Sequence, residues 1–314
     1  MALTPGGRGG LCAVSVDLDE IGHYHAIHGL PPPSRGDGPG PVYALALDRL
    51  AAWARSLDLP LTLFAVGADL AVDGNAARLR ALAAAGHEIG NHSLDHRYDL
   101  VRLPPDEQRR QVAVAREVLA AATGARVEGF RAPGYTVSDA LLTVVRESGH
   151  RYDSSVFPCA PYLAAKTAVR GWQRLRGRTS ASVAADPRML LCPEDPYKLG
   201  QPFWRPGEGP LVEVPILVTR HTRLPVIGTS LTMLPGLAAR ALIASCLGRP
   251  VLNLELHGID VLGVGDGLDA LAGHQPDVGV TPGLKLDRLT AVIEQVREVG
   301  YRFVTLGEAA RHAA

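Results

Sequence analysis

The sequence has little cysteine, no net charge and no long apolar run. Its 32 basic and 32 acidic residues cancel, which removes any global electrostatic reason to bind nucleic acid. No apolar run approaches the roughly 20 residues that a membrane-spanning helix needs. The few cysteines are far apart and include no C-x-x-C pair, so a disulfide framework is excluded and we expect buried, reduced thiols at Cys12, Cys159, Cys192 and Cys246.

The remaining composition is that of an ordinary globular protein. Of the 314 residues, 46% are apolar and 20% are charged, which excludes global disorder. Residues 1–10 lack the apolar core of a signal peptide. We therefore expect a cytoplasmic protein, and the sequence leaves its oligomeric state open.

Short apolar runs alternate with helical periodicities along the chain. Such alternation predicts an α/β fold with a parallel sheet. About seven units favour a closed or nearly closed barrel in a single domain over 1–314. The predicted strands are 11–16, 61–66, 87–90, 127–131, 151–154, 211–217, 251–256 and 301–306. The predicted helices are 42–57, 75–85, 106–122, 138–148 and one over 286–296 that ends before Gly300.

Three long segments interrupt this pattern. They are 20–41, an insertion at about 157–210, and the Gly-rich 258–283. Loops of this length in a compact domain are usually functional or disordered. Each follows the carboxyl end of a predicted strand, which is where barrel active sites lie.

Two histidines and two aspartates suggest a metal site. His92 and His96, at i and i+4, face the same way on a helical turn and could share one metal ion. Asp17 and Asp19 close an otherwise apolar strand, so one carboxylate could ligate the metal while the other stays free as a base. The alternative for each aspartate is a turn or helix cap.

Three further polar residues end later strands. Arg131 precedes Pro and Gly on a stiff turn and could pair with a carboxylate, or it could be a surface residue of a loop. Asp153 could hydrogen-bond within the site or cap a turn. His257 could be a general acid, because its ordinary pKa lies near 6.5, or a half-buried structural histidine.

Taken together and in order, these residues resemble the five motifs of the polysaccharide deacetylase family, also called the NodB-homology family or carbohydrate esterase family four. The resemblance covers residues 11–157 and 211–310. The first motif has the D-x-D form that is more similar to intracellular branches than to secreted chitin deacetylases. The motifs are Asp17-Leu-Asp19, His92-Ser-Leu-Asp-His96, Arg131-Ala-Pro-Gly134, Tyr-Asp153-Ser-Ser and Leu-Glu-Leu-His257.

The resemblance implies a distorted (β/α) barrel and one divalent metal ion, usually zinc. The implied ligands, carried over by position, are Asp19, His92 and His96. Asp17 is then the general base, and Arg131 orients it.

The same resemblance implies roles for the later motifs. His257 would protonate the departing amine. Its charge state needs a partner, and our own candidate for that partner is Glu213. The backbone N–H of Tyr135 would stabilise the oxyanion together with the metal, and Asp153 would lie on the substrate side of the site.

The predicted reaction is hydrolysis of an N-acetyl or N-formyl amide on an amino sugar, a saccharide precursor or a lipid-linked sugar. Branches of the family that resemble this chain act on such molecules or on small cyclic amides. The alternatives are therefore an allantoinase-like amidohydrolase, or a catalytically silent binding module of the same fold. Every candidate catalytic position holds a suitable residue, which argues against the silent module.

Two features of the loops bear on the substrate. Lys166, Arg170, Arg174 and Arg178 recur every four residues, so a helix there would present a basic stripe over 166–178. Such a stripe suits lipid headgroups or a phosphate-bearing carrier at the inner membrane face, and the alternative is a solvated cationic surface. His23, His25 and His28 could line the substrate cleft.

Overall fold

A computed structural model describes residues 9–33, 38–175, 183–184 and 186–313. The strands are β1 (Leu11–Asp17), β2 (Leu61–Ala65), β3 (Glu88–Asn91), β4 (Gly129–Phe130), β5 (Tyr152–Asp153), β6 (Tyr197–Lys198), β7 (Val212–Glu213), β8 (Val251–His257) and β9 (Arg302–Val304). The helices are α1 (Ile21–His28), α2 (Leu47–Ser56), α3 (Asn75–Ala84), α4 (Pro105–Arg109), α5 (Ala115–Thr123), α6 (Asp139–Glu147), α7 (Ala160–Leu175), α8 (Gly228–Met233), α9 (Gly236–Ala244), α10 (Pro282–Glu298) and α11 (Leu306–Ala313).

The strands form one curled sheet in the order β6-β7-β5-β4-β3-β2-β1-β8, and β9 pairs with the first half of β1. All described pairs are parallel except β6 with β7. Strand β1 lies between β2 and β8, and its apolar run is buried from Cys12 onward, as expected for a parallel strand covered on both faces. The predicted α/β barrel class is confirmed, with the sheet curled into a half-barrel.

The gap between β7 and β8 is bridged by the buried side chain of Asn253. Its Nδ2 donates to the carbonyl oxygens of Val214 (3.1 Å) and Pro215 (3.2 Å), and the N–H of Leu217 donates to the Asn253 carbonyl (3.3 Å). The strand predicted over 211–217 is shorter in the structure, where β7 covers only Val212–Glu213. Pro215 has no N–H to donate to a neighbouring strand. The residues that follow β7 therefore form isolated hydrogen bonds instead of regular β-sheet pairing.

The structure places an α-helix inside two of the three predicted loop segments and short 3-10 turns inside the third, 258–283. Helix α1 lies within 20–41, and α7 lies within the insertion at 157–210. Helices α8 and α9 were not predicted. The helix predicted over 106–122 is confirmed as a continuous run of α4, a wider turn at Arg110–Val114, and α5.

The burial of the cysteines agrees with what the composition predicts. All four cysteines are buried and reduced, as predicted. In the described ranges no helix combines the length and the apolar character that crossing a membrane requires. The organisation of residues 1–314 as a single domain stays a prediction.

Candidate metal and active site

Four strand ends converge at one edge of the sheet. Strand β1 ends at Asp17, which lies opposite His257 at the end of β8. His92 follows β3 directly, and Arg131 follows β4. Because parallel strands carry their carboxyl ends to the same edge, residues more than 200 positions apart meet there.

The predicted metal ligands form a compact triangle. The Nε2 atoms of His92 and His96 are each 3.1 Å from Oδ1 of Asp19, and they are 3.2 Å from each other. A tetrahedral zinc ion with bonds of about 2.0–2.1 Å holds its donor atoms about 3.3 Å apart. Oδ1 of Asp19 is buried and has no hydrogen-bond donor among the described residues. The donor set therefore fits one divalent cation.

The charge state of the triangle suits a metal site. Burial alone would raise the pKa of Asp19, but the nearby His96 and His92 rings hold it well below its ordinary value, so Asp19 stays ionised. Nδ1 of His92 donates to the carbonyl oxygen of Arg131 at 2.7 Å. That bond leaves the Nε2 lone pair of His92 directed at the triangle, as metal-binding histidines require.

A loop, rather than a helical turn, brings the two histidines together. The prediction of a helical turn over 92–96 was wrong, because Ser93 and His96 have left-handed backbones, with φ of 68° and 50°. Side chains hold this shape: Oδ1 of Asn91 accepts from the N–H of Ser93 (2.9 Å), and Oε1 of Gln111 accepts from the N–H of Asp95 (2.9 Å). The helix after β3 thus supports the ligand loop.

Asp17 is held by one oxygen and free at the other. Its Oδ1 accepts from Nη1 of Arg131 at 2.6 Å. Its Oδ2 is buried without a donor in the described part of the chain and lies 3.8 Å from Nε2 of His92. The arrangement leaves one carboxylate oxygen available as a proton acceptor beside the ligand triangle.

Arg131 is a buried scaffold residue and not the surface residue of the alternative interpretation. Its Nη2 donates to the hydroxyls of Ser15 and Ser154 (both 2.9 Å), and its Nε donates to the carbonyl of Ser154 (2.9 Å). Its guanidinium carbon lies 4.2 Å from the centre of the Phe64 ring. Burial opposes the charge, but Asp17 and Glu255 outweigh it, so the pKa of Arg131 is raised and the group stays cationic.

The partner of His257 is Glu255, and the prediction of Glu213 was wrong. Nδ1 of His257 lies 3.0 Å from Oε1 of Glu255, which is fully buried. Glu255 stands two residues before His257 on β8, so the two side chains share one face of the strand. This i, i+2 relation was visible in the motif Leu-Glu-Leu-His257 and could have identified Glu255.

The hydrogen bonds around His257 indicate a protonated ring. The hydroxyl of Tyr135 donates to Oε1 of Glu255 (3.1 Å), so it can only accept from Nε2 of His257 (3.2 Å). Burial would lower the pKa of His257, but the Glu255 carboxylate raises it well above its ordinary value. His257 therefore carries a proton on each nitrogen.

The backbone N–H of Tyr135 forms a hydrogen bond within a local turn, which differs from the prediction. Its N–H, expected at the oxyanion, donates to the carbonyl of Ala132 at 3.1 Å. An oxyanion role for this N–H would require that tight turn to open. The part of Tyr135 that faces the catalytic residues is the hydroxyl, which the sequence reasoning did not consider.

Asp153 is fully buried and bonds to Ser155, two residues further along the chain. Its carboxylate accepts from the N–H (3.1 Å) and hydroxyl (2.8 Å) of Ser155, whose oxygen accepts from the N–H of Ala132 (2.8 Å). Glu213 lies beside it; burial first, and then the charge of Asp153, raise the pKa of Glu213 well above its ordinary value. The pair supports the loop after β4 and gives Asp153 no described contact with the metal ligands.

Asp260 holds the turn that carries His257. Its Oδ2 accepts from the N–H of His257 at 2.7 Å. Burial, and then the nearby Asp277, raise the pKa of Asp260 to about 7. Gly228 packs so closely that a Cβ there would lie 1.9 Å from Oδ2 of Asp260, which explains the glycine.

Of the three histidines in 20–41, His23 reaches the ligands: its ring centre lies 4.1 Å from that of His96. His25 donates to the carbonyl of Pro31 (2.5 Å), and His28 contacts Gln275 (3.3 Å). The prediction that this segment lines the cleft therefore has geometric support at His23.

The basic stripe predicted over 166–178 falls only partly on described residues. Nζ of Lys166 donates to the carbonyl of Gly134 at 2.8 Å, so this lysine packs on the loop after β4. The side chains of Arg170 and Arg174, and all of Arg178, lie outside the described residues. Contact with a membrane stays a prediction.

Comparison with known proteins gives one family match. Residues 37–152 match the family model described as polysaccharide deacetylase. No curated protein matches the chain. The matched range includes His92, His96 and Arg131, three of the residues that carry the resemblance, and supports the resemblance over that part of the chain.

Solved structures share the fold. A candidate polysaccharide deacetylase from Mycobacterium smegmatis is 20% identical over 97% of this chain and 96% of that chain, with a TM-score of 0.50. A family 4 carbohydrate esterase from Streptomyces lividans, in complex with acetate, is 12% identical (96% and 94% covered, TM-score 0.50). A family 4 pseudoenzyme from Bacillus anthracis is 13% identical (96% and 66% covered, TM-score 0.51). The fold alone therefore does not decide activity.

Proposed function

Since residues 37–152 match the family model of polysaccharide deacetylases, we propose that the chain belongs to that superfamily and is a metal-dependent amide hydrolase. It removes an N-acetyl or N-formyl group from an amino sugar, a saccharide precursor or a carrier-linked sugar. The observation that carries the proposal is the buried triangle of Asp19, His92 and His96, flanked by Asp17 and His257. A cytoplasmic location stays a prediction.

Asp19, His92 and His96 would hold one divalent cation, and zinc suits a site of two imidazoles and a carboxylate. When bound, such a cation polarises an amide carbonyl and makes water more acidic. The chain's own part is to keep the ligands in position: the Arg131 carbonyl fixes the His92 ring, and the Asn91 side chain fixes the ligand loop.

Asp17 is the general base in this proposal. Its free Oδ2 accepts a proton from the attacking water, and the oxygen of that water bonds to the amide carbon. Arg131 holds Oδ1 and keeps the carboxylate correctly turned. Because Arg131 is itself held by Ser15 and Ser154, the base has little freedom to rotate.

His257 is the general acid. Its Nε2 donates a proton to the amide nitrogen as the carbon–nitrogen bond breaks, so the products are a small carboxylic acid and a free amine. Glu255 keeps the ring protonated through Nδ1. Tyr135 accepts from Nε2 and releases it when a substrate nitrogen takes its place.

The proposal is tested by acid release from chelator-treated protein with and without added Zn²⁺. The substrates are N-acetylglucosamine, an N-formyl amino sugar, a lipid-linked N-formyl sugar and the cyclic amide allantoin. We expect zinc-dependent release of acetate or formate. Ring opening of allantoin without release of acetate or formate would instead support the cyclic-amide alternative. Bound zinc with no reaction on any substrate would support the silent binding module.

Replacing Glu255 with glutamine is expected to move the alkaline limb of the pH profile of kcat/KM to lower pH by roughly 1–3 units. His257 must be protonated to act, so the rate falls as the pH rises through its pKa. Glu255 raises that pKa, whereas burial lowers it; removing the carboxylate leaves burial unopposed.

The matched control for this variant is Glu213→Gln. Glu213 is buried to the same degree but pairs with Asp153, so its replacement should leave the limb where it is. If Glu213→Gln moves the alkaline limb and Glu255→Gln does not, the partner of His257 is Glu213 and not Glu255.

A further inference from the structure

The candidate site is closed on the side of the metal ligands and open at His257. The side chains of His92, His96 and Asp17 are 1%, 0% and 1% exposed, and that of Asp19 is 8% exposed. The side chain of His257 is 19% exposed. Solvent therefore approaches the site along His257.

Helix α1 and the loop after β3 cover the closed side. The His23 ring of α1 packs on His96, and the Tyr24 ring meets His257 edge-on, with centres 6.4 Å apart. Tyr98 packs edge-on against His96 at 4.8 Å. The hydroxyl of Tyr24 is buried without a partner among the described residues, and burial, followed by the charge of Asp19, raises its pKa well above its ordinary value.

Helix α7 covers the neighbouring side. Its Tyr162 ring packs edge-on against Tyr135 (5.6 Å) and tilted on Phe157 (5.0 Å), and Lys166 ties the helix to the Gly134 carbonyl. Aromatic residues are only 5% of the chain, and it has eight tyrosines. Four of them surround this site, namely Tyr24, Tyr98, Tyr135 and Tyr162.

The positions of base and acid orient the substrate in this enclosure. The amide carbonyl must reach the ligand triangle and the free oxygen of Asp17, both of which are buried. The amide nitrogen must reach His257, which faces the opening. A substrate therefore enters with its acyl group first, and the rest of the molecule extends outward past His257.

We propose that the enzyme acts end-on: its substrate is a single N-acylated sugar, or the terminal sugar of a longer or carrier-linked molecule, rather than an internal unit of a polysaccharide. An internal unit is linked to another sugar on each side, so it needs a groove that is open at both ends. Helices α1 and α7 pack on the site and occupy those two sides. The unpartnered Tyr24 hydroxyl binds a polar group of the enclosed sugar. This inference rests on the proposed function.

The test compares N-acetylglucosamine with chitopentaose, using the zinc-loaded native protein and mass-spectrometric sequencing of the product. We expect turnover of the monosaccharide, and deacetylation of the pentamer at one terminal residue, at least tenfold faster than at internal residues. Reaction at internal residues at a similar or higher rate would overturn the end-on proposal while supporting the deacylase. No release from either probe, nor from formylated sugars, would overturn the deacylase itself and the end-on proposal with it.

Two variants test whether the side chains that cover the site, rather than the stability of the fold, determine the substrate preference. Tyr162→Ala shortens the covering side chain of α7, so we expect the preference for the terminal over the internal residues to fall severalfold. Tyr24→Phe removes the hydroxyl alone and should raise KM for N-acetylglucosamine about tenfold. Tyr301→Phe, whose hydroxyl binds the Arg249 carbonyl away from the site, is the matched control and should change neither quantity. An unchanged preference in Tyr162→Ala would refute the role of the covering helix.

Discussion

Replacing His96 with alanine is expected to abolish binding of the divalent cation and to lower kcat/KM about 10³-fold or more. The triangle would lose one of three donors, and the cation contributes several kcal/mol of transition-state stabilisation in such sites. The side chain is fully buried, so the vacated space also admits water beside Asp19. Metal content by mass spectrometry and acid release should be measured on the same preparation.

His312→Ala is the matched control for that experiment. His312 is exposed on α11, and its loss should leave both metal content and turnover unchanged. His92→Ala should behave as His96→Ala does. Full metal occupancy in both His92→Ala and His96→Ala would refute the ligand triangle, whatever the activity.

Replacing Asp17 with asparagine is expected to keep the metal and to lower kcat about 10²- to 10⁴-fold, the usual contribution of a general base. The amide has no basic oxygen, so it cannot take the proton of the attacking water. It still offers a carbonyl oxygen to Nη1 of Arg131, which keeps the local geometry. Turnover near the native rate in this variant would exclude Asp17 as the base.

Stability must be measured alongside, because Asp17 and Arg131 form a fully buried ion pair. Removing one charge of such a pair costs up to about 3–5 kcal/mol, and the retained hydrogen bond should reduce that loss. The melting temperature is therefore expected to fall, while the metal content of the folded protein stays at the native level. Asp106→Asn, at a fully exposed position, is the control for the substitution itself.

Residues expected at the ends of strands do lie at one edge of the sheet. Asp17, Asp19, His92, Arg131 and His257 each close or follow a buried apolar run, and the sheet does bring them together. The reason is that apolar patterning determines where a parallel strand lies, and every such strand delivers its last residue to the same edge. The family motifs then identify which of these residues belong to one site.

Errors arose where a residue's partner comes from elsewhere in the fold. Glu213 was expected beside His257, but register pairs it with Asp153 on the adjacent strand. The N–H of Tyr135 was expected at the oxyanion, but a local turn uses it. The histidine pair was expected on a helical turn, and side chains of Asn91 and Gln111 hold a left-handed loop instead.

The sequence by itself determined the α/β class, the order of most strands and helices, the family resemblance and the candidate ligands, because these follow from apolar periodicity and from residue types at short spacing. Only the tertiary structure decided that Glu255 is the partner of His257, that Asp153 bonds to Ser155, and that α1 and α7 cover the site. These depend on which side chains approach across strands and inserted helices far apart in sequence. The hydrogen-bond partner of a buried side chain is determined only when the chain has packed and brought donor and acceptor together.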